Sequence, residues 1–204
     1  MKPRIRQLLF DFDGVLARYD HGQRLAALAA HAGCTPARVH EALFDSGLEA
    51  EYDSGLVDTG AYLRRLGETL DCGVNEDTWL ASRFAGTLAD ADALASVAAL
   101  DEALALGVLT NNGRLMERVI PRIVAPVSAR LEGRILVSGA LGLRKPDPAV
   151  FGRALGLLGW EAGSTLFVDD KFGNVQGARR AGLHADTATD ARSLRRVLAR
   201  YGLA

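Results

Sequence analysis

Four strand-length apolar runs, each followed at once by polar or glycine-rich residues, constrain this chain more than any other feature. They are Gln7-Leu8-Leu9-Phe10, Leu106-Gly107-Val108-Leu109, Arg134-Ile135-Leu136-Val137-Ser138 and Thr165-Leu166-Phe167-Val168. Between them lie stretches with helical spacing: Val119, Ile120 and Ile123; Val150, Phe151, Ala154, Leu155 and Leu158; then Leu194, Val197, Leu198 and Tyr201. Strands that alternate with helices pair in parallel, and strands that read as continuous apolar runs are buried on both faces. The expected class is α/β, with a Rossmann-like parallel sheet as its core.

Residues 18–85 interrupt that alternation. Leu25, Leu28, Ala29 and Ala32 share one helical face, and Pro36 suits the first turn of a following helix. Tyr62, Leu63 and Leu66, then Trp79, Leu80 and Phe84, extend the helical signal, and no convincing strand is visible. The block is expected to be a small α-helical cap inserted after the first strand. The catalytic core is then 1–17 together with 86–204.

Charge narrows the partners. With 24 basic and 25 acidic side chains the net charge is −1, so the chain has no broad basic field for nucleic acid or anionic lipid. A small-molecule partner is expected, with no nucleic acid and no membrane. The run Leu8-Leu9-Phe10 is cut by Asp11, too short for a signal-peptide core or a membrane span, and a cytoplasmic location is expected. Cys34 and Cys72 lack metal or redox spacing and read as free thiols. The oligomeric state stays open.

Ligands of open α/β sheets bind beyond the carboxyl ends of the strands. Here those ends lead into Asp11-Phe12-Asp13-Gly14, Thr110-Asn111-Asn112-Gly113, Lys145-Pro146-Asp147-Pro148 and Asp169-Asp170. Carboxylates, a hydroxyl, an amide and a lysine thus gather at one sheet edge. Phosphate monoester hydrolysis needs such a set. An anionic nucleophile must reach an anionic phosphoryl group, so a hard cation on carboxylate oxygens, a lysine and hydrogen-bond donors must cancel their repulsion. Singly, each element has a plainer reading: Asp11 and Asp13 as turn residues, Asp169-Asp170 as a helix cap, Lys145 as a solvated lysine. It is their joint order that selects phosphoryl chemistry.

In that order the four clusters resemble the motifs of the haloacid dehalogenase superfamily. Phe10-Asp11-Phe12-Asp13-Gly14-Val15-Leu16 resembles the first, Leu109-Thr110-Asn111-Asn112 the second, Lys145-Pro146-Asp147-Pro148 the third and Phe167-Val168-Asp169-Asp170 the fourth. Segments 143–151 and 167–182 are similar to the subgroup of glucose-1-phosphate phosphatases and of the phosphatase domain of soluble epoxide hydrolases. The resemblance implies a Mg²⁺-dependent phosphatase acting on a small phosphorylated metabolite, such as a sugar phosphate, through an aspartyl-phosphate on Asp11. It implies Asp13 as general acid and base, and Thr110, Asn111 and Lys145 as phosphate-binding residues. Asp11, the Asp13 carbonyl and Asp170 become the metal ligands, Asp169 holds metal-bound water, and Asn174 orients the fourth loop.

Lys171 departs from the small residue that many relatives carry beside the metal carboxylates. Tyr19, Asp20, His21 and Arg24, at the start of the cap, and Arg144 are outside candidates for contact with a leaving group. Two other functions stay open: a phosphomutase of the same superfamily, and a non-catalytic phosphate-binding or interaction protein. A dehalogenase is disfavoured, since halide departure needs neither a general acid at Asp13 nor metal carboxylates.

Overall fold

The computed structural model describes residues 4–203; Met1–Pro3 and Ala204, and with them the start of the charged N-terminal stretch, lie outside the described residues. The chain opens with strand β1 (Gln7–Phe10) and a short strand β2 (Ala17–Tyr19). Helices α1 (His21–Ala32), α2 (Pro36–His40, continued by a wide turn over Glu41–Asp45), α3 (Leu48–Asp53), α4 (Thr59–Leu70) and α5 (Glu76–Ala85) follow. Strand β3 (Thr87–Ala89), α6 (Ala91–Ala98), β4 (Ala105–Thr110), α7 (Met116–Ile123) and β5 (Ile135–Val137) come next. Then come α8 (Ser138–Leu141), α9 (Pro148–Leu158), β6 (Thr165–Asp169), α10 (Phe172–Arg180), β7 (His184–Thr187) and α11 (Ala191–Tyr201). Among these, no helix is long and apolar enough to cross a membrane.

The main sheet has five parallel strands in the order β5-β4-β1-β6-β7. Its α/β, Rossmann-like character agrees with the apolar patterning, because every residue from Leu8 to Phe10 is fully buried. Alternate side chains serve opposite faces, as the pleat requires. Leu8, Phe10, Leu106, Val108, Leu166 and Val168 pack with α6, α7 and α11 through Val97, Ile120 and Leu198. Leu9, Leu109 and Phe167 pack on the other face against α9 and α10 through Phe151, Ala154 and Val175.

Two expectations about strands need correction. Arg18 and Tyr19, inside the block that showed no strand, belong to β2, which pairs antiparallel with β3. Three residues are too few for a period-2 pattern to register, so this ribbon is invisible in sequence. Strand β7 was also missed: His184-Ala185-Asp186-Thr187 carries two ionisable side chains, as an edge strand can. At the third run, Ser138 leaves the strand and begins α8.

The strand order brings the chemistry together. β1 pairs β4 on one side and β6 on the other, with Phe10 level with both Val108 and Val168. The chain fills one flank with β4 and β5 before returning to the other with β6 and β7, so the switch in direction falls at β1. The tips of β1, β4 and β6 therefore adjoin.

Helix α10 closes the far side by pressing on the loop that carries Lys145. A Cβ added at Gly177 would lie 2.2 Å from the carbonyl oxygen of Pro146, which is backbone on both sides and has no flexible end to give way. Gly177→Ala is expected to destabilise the protein by about 1–3 kcal/mol, the usual range for overpacking. Urea unfolding with an unchanged m-value checks this; stability equal to the wild type would show that the close contact is not a constraint.

Candidate active site

The turn after β1 sets the first pair of carboxylates. The Asp11 backbone N–H still donates to Val168 in β6, at 2.8 Å, so Asp11 continues the strand geometry. The amides of Leu16 and Ala17 then both donate to the Phe12 carbonyl, folding residues 12–17 into a tight turn that feeds β2. Gly14 sits in that turn at φ +91°, and a Cβ there would lie 2.8 Å from the Asp170 carboxylate. Only glycine lets the first loop lie so close to the tip of β6.

Lys145 is the centre of the cluster. It is 4% exposed, which rules out the solvated lysine. Its Nζ lies 2.9 Å from Asp11 Oδ1 and 2.7 Å from Asp169 Oδ2. Asp11 Oδ1 also accepts the Phe12 N–H at 2.7 Å. Asp169 accepts the Lys171 N–H at 2.8 Å, and Asn174 Nδ2 lies 3.0 Å from both of its oxygens. Asn174 therefore ties the first turn of α10 to the tip of β6.

Asn111 ties the tip of β4 to the loop that carries Lys145. Its Nδ2 donates to the Lys145 carbonyl at 2.8 Å and its Oδ1 accepts the Lys145 N–H at 2.9 Å. The carboxamide clamps the lysine backbone, because it matches the donor and acceptor of one residue. Thr110 is buried, and its Oγ1 accepts from Asn112 Nδ2 at 2.8 Å. Asn112 Nδ2 also lies 3.2 Å from Asp13 Oδ2, linking the β4 tip to the first loop.

Three of the outside candidates, Asp20, His21 and Arg24, make contacts within the helices between β2 and β3. Asp20 caps α1 by accepting the Gln23 N–H. Arg24 is buried in an ion pair with Glu49, with Nη1 to Oε1 at 2.5 Å and Nη2 to Oε2 at 3.1 Å. His21 packs against His40 and Phe44. Sequence reasoning missed Arg83, at the end of α5, whose Nη2 lies 3.1 and 3.3 Å from the two oxygens of Asp13. Its signal was available: Trp79, Leu80 and Arg83 stand at i, i+1 and i+4, so the arginine shares the buried face of the helix.

One ammonium divided between carboxylates leaves the cluster short of positive charge. Burial is the largest influence on Asp11 and, with Asp169 adding repulsion, it outweighs Lys145 and pushes the carboxyl up to about 7. Burial also acts on Asp169, but Lys145, the Lys171 N–H and Asn174 prevail and hold it below the usual carboxylate range. Asp170 is raised by burial and by its neighbour Asp169. One oxygen from each of Asp11, Asp169 and Asp170 lies within 4.8 Å of the others, and Asp170 Oδ1 is buried with no hydrogen-bond partner among the described residues. A buried, unpartnered carboxylate oxygen in an all-oxygen cluster fits a hard cation. The residues present could hold a metal ion.

Fold and site together define the class: a Rossmann-like α/β protein with an acidic, metal-competent centre at the tips of its central strands. The model of the haloacid dehalogenase-like hydrolases matches residues 5–182, and the chain belongs to that family of hydrolases. No curated protein matches it significantly. Among solved structures it is similar to a predicted HAD-like family hydrolase from Porphyromonas gingivalis, at 20% identity and TM-score 0.76, covering 95% of this chain and 98% of that one. A HAD family enzyme from Bacteroides thetaiotaomicron, in complex with magnesium and inorganic phosphate, shares 19% identity at TM-score 0.73, over 90% and 93% of the two chains. A 2-haloacid dehalogenase from Pseudomonas syringae shares 22% at TM-score 0.67, over 97% and 100%. At these identities the likeness shows the fold.

The raised carboxyl of Asp11 has a sign. A carboxyl that holds its proton more tightly folded than unfolded makes the metal-free protein lose stability as pH rises from about 4 to about 7. Asp53, also pushed up to about 7 by burial and then Glu49, acts in the same direction. The isosteric Asp11→Asn variant isolates the first contribution. Metal-free, it is expected to be more stable than the wild type at pH 8, with the gap closing towards pH 4; a gap constant with pH would contradict this picture.

Proposed function

We propose that this hydrolase is a magnesium-dependent phosphatase that acts on a small phosphorylated metabolite through a phosphoryl group carried transiently on Asp11. The observation that supports it most is the placing of two carboxylates with different surroundings two residues apart. Asp11 is buried against Lys145, whereas the Asp13 side chain is 25% exposed and faces Arg83 and Asn112. One suits attack on phosphorus, and the other suits proton transfer at the solvent side.

In this reading the Asp11 carboxylate attacks phosphorus, and the ester oxygen leaves with a proton from Asp13. Asp13 then takes a proton from the water that attacks the aspartyl-phosphate, releasing phosphate and restoring Asp11. Lys145 stays between Asp11 and Asp169 and keeps the attacking carboxylate oriented. Thr110 Oγ1 accepts from Asn112, so its own proton remains for a phosphoryl oxygen. Asn111 contributes by fixing the Lys145 backbone. Asp11, the Asp13 carbonyl and Asp170, with Asp169 behind them, would hold magnesium, which would supply the positive charge that offsets the phosphoryl oxygens. The Bacteroides enzyme crystallised with magnesium and inorganic phosphate lends this assignment weight.

Phosphate release from p-nitrophenyl phosphate tests the proposal. Release is expected with Mg²⁺, to vanish with EDTA and to fall by more than about 10³-fold in Asp11→Asn. Asp13→Asn should slow alkyl esters by roughly 10²–10⁴-fold, and this aryl ester less, because a good leaving group needs little protonation. Undiminished release in Asp11→Asn, or activity indifferent to EDTA, would sink the reading. Phosphoryl return to substrate instead of water would indicate the mutase, and a folded protein that binds Mg²⁺ without turnover the binding module.

A further inference from the structure

We propose that Arg83 is a specificity residue that binds a second oxyanion carried by the leaving group, so that the substrates are phosphate esters with an acidic substituent close to the ester oxygen. This rests on the phosphatase reading. The guanidinium belongs to the last turn of α5, and its side chain is 3% exposed. Burying a charge is costly unless its donors are satisfied.

They are only partly satisfied here. The Asp13 contacts come from the single nitrogen Nη2, at 3.1 and 3.3 Å, so the two-nitrogen fork that suits a carboxylate is not engaged. Nε is buried with no hydrogen-bond partner among the described residues. The guanidinium carbon lies 4.5 Å from the centre of the Tyr19 ring, which fixes its plane.

Position then names the ligand. Lys145 is committed to Asp11 and Asp169, on the phosphoryl side. Arg83 touches Asp13, which in the phosphatase reading works at the ester oxygen, so the leaving group is the part of the substrate that comes nearest to it. A neutral polyol would leave the buried guanidinium with weak partners. A carboxylate or a second phosphate, one or two carbons from the ester oxygen, fills the fork.

Binding to the inert Asp11→Asn protein with Mg²⁺, measured by titration calorimetry, tests this without requiring turnover. The ligands are ethyl phosphate, phosphoglycolate and ethylene glycol bisphosphate, which carry a methyl, a carboxylate and a second phosphate in turn. At least one acidic ester should bind roughly 10–100-fold more tightly than ethyl phosphate, as a charge-assisted pair allows; the tighter of the two identifies the substituent. Adding Arg83→Gln should reduce that preference to less than about threefold, and Arg83→Lys should keep part of it, with unfolding curves showing that both variants are folded. Equal affinity for neutral and acidic esters overturns the proposal, as does a preference that survives Arg83→Gln. An equal loss for all three ligands overturns it too, since Arg83 would then serve only to position Asp13. Preference without phosphate release from any ester in the Asp11 protein would uphold Arg83 and reject the phosphatase reading.

Discussion

The ammonium of Lys145, held between Asp11 and Asp169, is the interaction on which the rest of the site depends. A buried charge persists only where its partners are close and well oriented. The fold surrounds this one with constraints that act on backbone as much as on side chain. Asn111 clamps both backbone polar groups of Lys145, Asn174 donates to Asp169, and α10 presses on the following Pro146 through Gly177. None of these contacts is made by Asp11. Together they determine where the Lys145 ammonium and the Asp169 carboxylate lie.

That arrangement leaves an electrostatic deficit, which separates the carboxylates. Asp169 has the better share of the lysine and further donors, and stays readily ionised. Asp11 and Asp170, buried and less well compensated, are the ones that a cation would relieve. Metal competence thus follows from a shortage of positive charge in a place where water cannot make it good.

The helices between β2 and β3 bring a separate positive charge to the site. Trp79 donates to the Tyr62 hydroxyl, Tyr62 donates to Glu49, and Arg24 pairs with Glu49, all buried. This network anchors α5 one turn before Arg83. Tyr52 of α3 meanwhile accepts the Leu115 N–H beyond β4, tying the helices to the sheet. The position of Arg83 over Asp13 is therefore set by packing some distance from the chemistry.

The amino-acid order by itself determined the parallel α/β core, through apolar runs that only a sheet buried on both faces can accommodate, and the grouping of Asp11, Lys145, Asp169 and Asp170 at one edge, through the rule that loops converge beyond strand ends. It also determined membership of the haloacid dehalogenase-like hydrolases, since those motifs are contiguous and lie within strands and turns. Tertiary structure alone decided the β2–β3 ribbon, whose strands are too short to carry a period, and the turning of Asn111 onto Lys145. It likewise decided the pairing of Arg83 with Asp13, residues 70 positions apart. Local periodicity reports which face a side chain occupies; which partner it meets there depends on how separate elements pack, and that is not written in any one stretch of chain.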